Sequence, residues 1–162
     1  MLDKHTASVN TPLRLVLDTN IVLDWLVFED PAVASLRDAI HAGSVVVITS
    51  QAAIDELRRV LAYPQLEVDS VTQSKLLSEY RLRSVVESSS DDSLPAGFPR
   101  CADHDDDHFL ALGLHAKADA VVSRDKAVLQ LKSRAAKFGL LVADVQELMS
   151  SALIFAKSAA AK

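Results

Sequence analysis

Carboxylates crowd the points of this chain where chemistry could be done. Asp18 ends the apolar run Leu13 to Leu17, and Asp125 follows the apolar run Ala120 to Val122 within VVSRD. In an open α/β sheet, ligands gather beyond the carboxyl ends of the strands, so both acids fall at the edge where a site is expected. The segment CADHDDDH adds Asp103, Asp105, Asp106 and Asp107 at the mouth of the helical stretch FLALGLHAK. A helix N-terminus explains one or two of these, since each gains about 0.3 to 1 kcal/mol there. The rest need another reason. Like charges about 4 Å apart repel by ~1 kcal/mol in water and by about 4 kcal/mol at an effective dielectric of ~20, so the cluster calls for protons or a cation. A hard divalent ion with oxygen ligands is the economical remedy.

Other candidates carry competing readings. Glu56, in SQAAIDELRRVL, lies beside the apolar stripe Ala52, Ala53, Leu57, Val60 and Leu61 rather than opposite it. It can equally be a surface acid paired with Arg58 or Arg59, a role open to Asp55 as well. Asp24, on the first helix, is a similar case, and Asp18 and Asp125 taken singly also suit helix caps. His104 and His108 have i, i+4 spacing, but Asp105 stands where the zinc-binding helix motif has Glu and no third ligand follows. Both are expected to be solvated. Cys101, the single cysteine, cannot form an intrachain disulfide and reads as a small core residue, which suits a reducing compartment. Ser50, Ser123 and His115 build no triad, the few glycines form no dinucleotide or P-loop motif, and Trp25 reads as core.

These acids lie far apart in sequence, so the fold has to bring them together. The chain has 162 residues, 49% apolar and 24% charged, which suits one globular domain. Short apolar runs at Leu13 to Leu17, Val45 to Ile48, Ala120 to Val122 and Leu140 to Val142 predict strands buried on both faces. Helices are predicted for 21–28, 32–41, 50–62, 70–83, 106–117, 127–138 and 144–155, and the alternation points to a parallel sheet. Serines, prolines and Gly97 between Ser88 and Pro99 predict a loop. Residues 1–12 read as an N-terminal arm, 13–150 as the domain and 151–162 as a C-terminal tail. No apolar run approaches the ~20 residues of a membrane helix and the opening lacks a secretory pattern, so a cytoplasmic protein with no membrane partner is expected. The net charge of −5 argues against holding nucleic acid by bulk positive charge. Val68, Leu82 and Phe155, on predicted exposed faces, permit a homodimer.

In order, LVLDTNIVLDWL, ITSQAAIDELRRVL, CADHDDDHFLALGLHAKADAVVSRDKAVL and GLLVADVQELM resemble the PIN domain family, from Leu13 to Met149. The resemblance implies a three-layer α/β/α fold with a central, mostly parallel sheet. It implies a metal-dependent endoribonuclease whose Mg²⁺ or Mn²⁺ is held by Asp18, Glu56, Asp107 and Asp125, with Asp106 as a further ligand. Asn20 and Ser123 would be polar neighbours, and Arg124 a supporting or substrate-binding residue. Asp107 takes the third acidic position because it lies eighteen residues before Asp125, the family's spacing. Asp103, Asp105 and Asp106 are similar to the RDPDDD variant of a toxin-like branch, although Ala102 and His104 stand in place of its Arg and Pro, and Ser123 in place of the commoner Thr. Such members carry RNA as substrate and an antitoxin protein as partner. The alternative is a non-catalytic PIN-like module binding RNA or a protein, which loss of a core acid would mark; this chain keeps them all. A receiver or phosphatase-like reading ranks below the nuclease because Asp18 stands alone and Asn20 occupies the position where the phosphatase motif needs Asp.

Overall fold

A computed structural model of the chain describes residues 11–88 and 93–151. The predicted arm and tail lie outside this range except for Thr11, Pro12 and Ser151, as does the middle of the predicted loop. The central sheet has five strands, all parallel: β1 (Leu13–Leu17), β2 (Val45–Thr49), β3 (Ser84–Val86), β4 (Ala120–Val122) and β5 (Val142–Ala143). They lie in the order β3-β2-β1-β4-β5. The chain first builds outward on one side of β1, then crosses back to build on the other. The crossovers are α1 (Thr19–Leu26), α2 (Ala34–His41), α3 (Gln51–Leu61), α4 (Ser70–Leu82), α5 (Asp107–His115), α6 (Lys126–Leu129) and α7 (Lys132–Ala136), with α8 (Val145–Ser150) after the last strand.

Strand alternation sorts the core into two layers. Leu13, Leu15 and Leu17 face one way, with Val45, Val47 and Ala120, onto Ile21, Leu36, Ile54, Leu57, Tyr80 and Leu148. Val16, Ile48, Val121 and Val142 face the other way, onto Phe109, Leu110, Val128, Leu131 and Ala135. Helices therefore cover both faces, the three-layer α/β/α arrangement expected of buried parallel strands. Helix α5 lies tight on the sheet at Gly113, where an added β-carbon would stand 2.6 Å from Val121 Cγ2 and 2.9 Å from Leu140 Cδ1. Among the described residues no helix is long and apolar enough to cross a membrane.

Some boundaries differ from expectation. The predicted helix 127–138 is two short helices, with the Leu131 amide tightened onto Val128 O (3.0 Å) between them, and Val128, Leu131 and Ala135 are all buried. β5 starts at Val142 rather than Leu140, whose amide still bonds Ala135 O at the end of α7. The edge strand β3 was not expected, and Val85 and Val86 are both exposed.

Candidate active site

Because Leu17 pairs with Val122, the carboxyl ends of β1 and β4 are neighbours. The Asp18 amide extends that pairing by donating to Val122 O (2.9 Å). Asp18 occupies the N-cap position of α1, yet its carboxylate makes no capping bond and instead accepts from Ser123 Oγ at 2.6 Å. That oxygen in turn accepts from the Asp125 amide (3.0 Å). One hydroxyl thus links two acids 105 and 2 positions away from it in sequence. Asp125 does act as a cap, accepting from the Ala127 amide at 2.8 Å.

Asp18 is only 5% exposed. Burial pushes its carboxyl above the ordinary value, opposed by the Ser123 bond and aided by the charges of Glu56 and Asp125. Asp106 is driven further, to about 7, by burial first and then by Asp18, Asp103, Asp125 and Glu56. Glu56 and Asp125 thus oppose both Asp18 and Asp106, and with these two, and with Asp103 acting on Asp106, they form a repelling group at one edge of the sheet. Asn20, in the first turn of α1, has a buried Oδ1 with no hydrogen-bond partner. Carboxylates that oppose one another, and an orphaned carbonyl oxygen in the helix that follows Asp18, are oxygen donors of the kind a hard divalent cation takes. Among the described residues no three His, Cys, Asp or Glu side chains stand as a ready-made ligand group.

Asp107 is placed differently from its neighbour. Its carboxylate accepts from the Cys101 amide (2.8 Å) and lies 3.5 Å from Arg100 Nη1 and 3.3 Å from His104 Nδ1. Asp107 thus ties the start of α5 to the preceding loop, while Asp106 belongs to the repelling group. Asp103 caps the short turn before α5 by accepting from the Asp105 amide (3.0 Å).

Glu56 finds neither arginine. Arg58 pairs with Asp55 at 3.0 Å, and Glu56 Oε2 lies 3.0 Å from His108 Nε2. His108 is not solvated as expected: its side chain is 18% exposed, against 77% for His104. Its Nδ1 is buried without a partner, and Nε2, facing the carboxylate, is the ring nitrogen that donates to Glu56. One carboxylate oxygen of Glu56 is thereby occupied and the other left available. The clue in the sequence was that His108, next to Asp107, opens a run that is otherwise apolar. Arg124, expected as a supporting residue, is held by buried Asp24 through Nε at 2.8 Å and Nη2 at 3.4 Å. This pair anchors the segment carrying Asp125 to α1. Cys101 is buried, and burial pushes its thiol up, away from a nucleophile's requirement.

Ser123→Ala would strip a donor from buried Asp18 and an acceptor from the Asp125 amide. The expected loss is about 1–3 kcal/mol of unfolding free energy at neutral pH, read by urea denaturation. Unchanged stability would mean that the Ser123 bonds are dispensable.

A family model described as the PIN domain matches residues 14–127. That stretch runs from β1 into α6 and includes every acid of the repelling group. No curated protein matches the chain.

Proposed function

This chain belongs to the PIN domain family, a nuclease-type fold, and we propose that it is a metal-dependent endoribonuclease hydrolysing phosphodiester bonds in RNA. The observation that carries this reading is the group Asp18, Glu56, Asp106 and Asp125. Their repulsion is a standing cost that a protein without a use for it could remove with one amide substitution. These four would hold Mg²⁺ or Mn²⁺, with Asn20 Oδ1 as a neutral oxygen at the same edge. When bound, the ion supplies an activated water and neutralises charge growing on the phosphate.

The residues of the chain do the arranging. Ser123 orients Asp18 and holds the backbone at Asp125, Asp24 braces that segment through Arg124, and His108 turns Glu56. Asp106, with its carboxyl pushed to about 7, would give up its proton as a cation arrives, so metal affinity should rise with pH through neutrality. Asp107 would act by fixing the approach of α5.

The test is cleavage of single-stranded RNA by purified protein. Cleavage is expected with Mg²⁺ or Mn²⁺, lost in EDTA and restored by excess metal. Cleavage that persists in EDTA would betray a contaminating ribonuclease of the metal-independent kind. RNA bound but never cut with either metal would favour the non-catalytic alternative.

A further inference from the structure

Beside the acids, helix α3 continues a line that the proposed chemistry leaves unused. Arg59 and Val60 lie three and four residues after Glu56 on the same face of α3, and Tyr63 follows just beyond the end of the helix. All four line a cavity of about 440 Å³ shared with Asp106 and His108, a volume within the ~300–1,000 Å³ of small-ligand sites. The cavity therefore runs outward from two members of the acidic group along α3.

Its outer end has the features of a nucleotide subsite. Tyr63 is 54% exposed, yet its peptide is pinned on both sides: its amide donates to Val60 O (3.0 Å) and its carbonyl accepts from the Leu66 amide (3.0 Å). Pro64 follows and favours extended backbone at Tyr63, observed at φ −65° and ψ 128°. The ring is thus carried on a fixed backbone. Arg59 stands one turn before it, and among the described residues its guanidinium makes no ion pair or hydrogen bond, whereas adjacent Arg58 is spent on Asp55. A helix C-terminus welcomes both arginines; only Arg59 lines the cavity.

Resting on the ribonuclease reading, we infer that Tyr63 and Arg59 form a subsite for a nucleotide flanking the cleaved bond, with the base stacked on the Tyr63 ring and its phosphate held by Arg59. The substrate class is single-stranded RNA, because a paired base has no face to offer an exposed ring. The acidic wall at Asp103 and Asp105 repels phosphate and so confines the backbone to the Arg59 side. Stacking is indifferent to base identity, so the subsite selects for an unpaired nucleotide rather than for a sequence.

The test measures kcat and KM for oligouridine cleavage with Mn²⁺, using intact strands and strands with one abasic position moved along the chain. Tyr63→Leu should raise KM about 5- to 100-fold with kcat little changed, and Tyr63→Phe should restore it. Arg59→Gln should raise KM, with Arg59→Lys partly restoring it. Wild type should be penalised by an abasic site at one position displaced from the cut, and Tyr63→Leu should not. If Tyr63→Leu kept the wild-type KM and abasic profile while wild-type cleavage stayed metal-dependent, the subsite would be disproved and the ribonuclease reading would stand. If wild type cut no RNA with either metal, both would fall.

Discussion

Asp18→Asn should lose more than about 100-fold of the metal-dependent cleavage while the protein stays folded. Changing a residue that merely supports a metal ligand costs ~10- to 100-fold, and a ligand itself should cost more. Asparagine keeps the size of the side chain and one oxygen able to accept from Ser123 Oγ, so the buried bond at 2.6 Å survives. What disappears is a charge that Glu56 and Asp125 already oppose. The metal-free variant should therefore melt at the wild-type temperature or slightly above it. Activity within tenfold of wild type would remove Asp18 from the chemistry, and a large drop in melting temperature would make it structural. Asp106→Asn and Asp107→Asn form the informative companion pair. The first should behave like Asp18→Asn. The second, whose carboxylate serves the Cys101 amide, should lose less activity and more stability.

The second large effect concerns pH. Asp106 has a folded value of about 7 against an ordinary 3.8, so near neutrality the native state holds a proton that the unfolded chain has released. Stability linked to Asp106 must therefore fall as pH rises from about 4 to about 7, then level off. Buried Asp18 acts in the same direction. In EDTA the difference in melting temperature between Asp106→Asn and wild type should be near zero at about pH 4 and favour the variant by a few degrees at about pH 8. Added Mn²⁺ at the higher pH should reverse the order, because only wild type regains what repulsion removed. A difference that did not change with pH would show that Asp106 ionises without opposition in the native protein.

How far these features could be read beforehand depended on whether the signal was local. The strands β1, β2 and β4 were legible because burial on both faces demands uninterrupted apolar runs such as Val45 to Ile48. β3 was not, since Ser84 to Val86 is short and half exposed at the sheet edge and needs no apolar run. The acidic cluster was legible as a surplus of charge, and the spacing to Asp125 pointed to Asp107. Of the two adjacent aspartates, Asp106 is the one whose carboxyl Asp18 pushes up, while Asp107 is captured by the Cys101 amide of the preceding loop. That is tertiary information. The pairing of Glu56 with His108, 52 positions away, was hidden for the same reason, while Arg58 and Arg59 offered nearer and more obvious partners.

The position of β1 in the middle of the sheet has a consequence for the order of events at the ribosome. β1 is made before both of its neighbours, and the second of them, β4, is not complete until Val122. Until then one edge of β1 is open, and Asp18 lacks both Ser123 and Asp125. Closing so long a loop is slow compared with forming local helices. A nascent chain interrupted just before that point would carry Asp18, Glu56 and Asp106 without Asp125. On this topology, the acids of this sheet edge meet only after β4 and Asp125 have been made, however early β1 and β2 take shape.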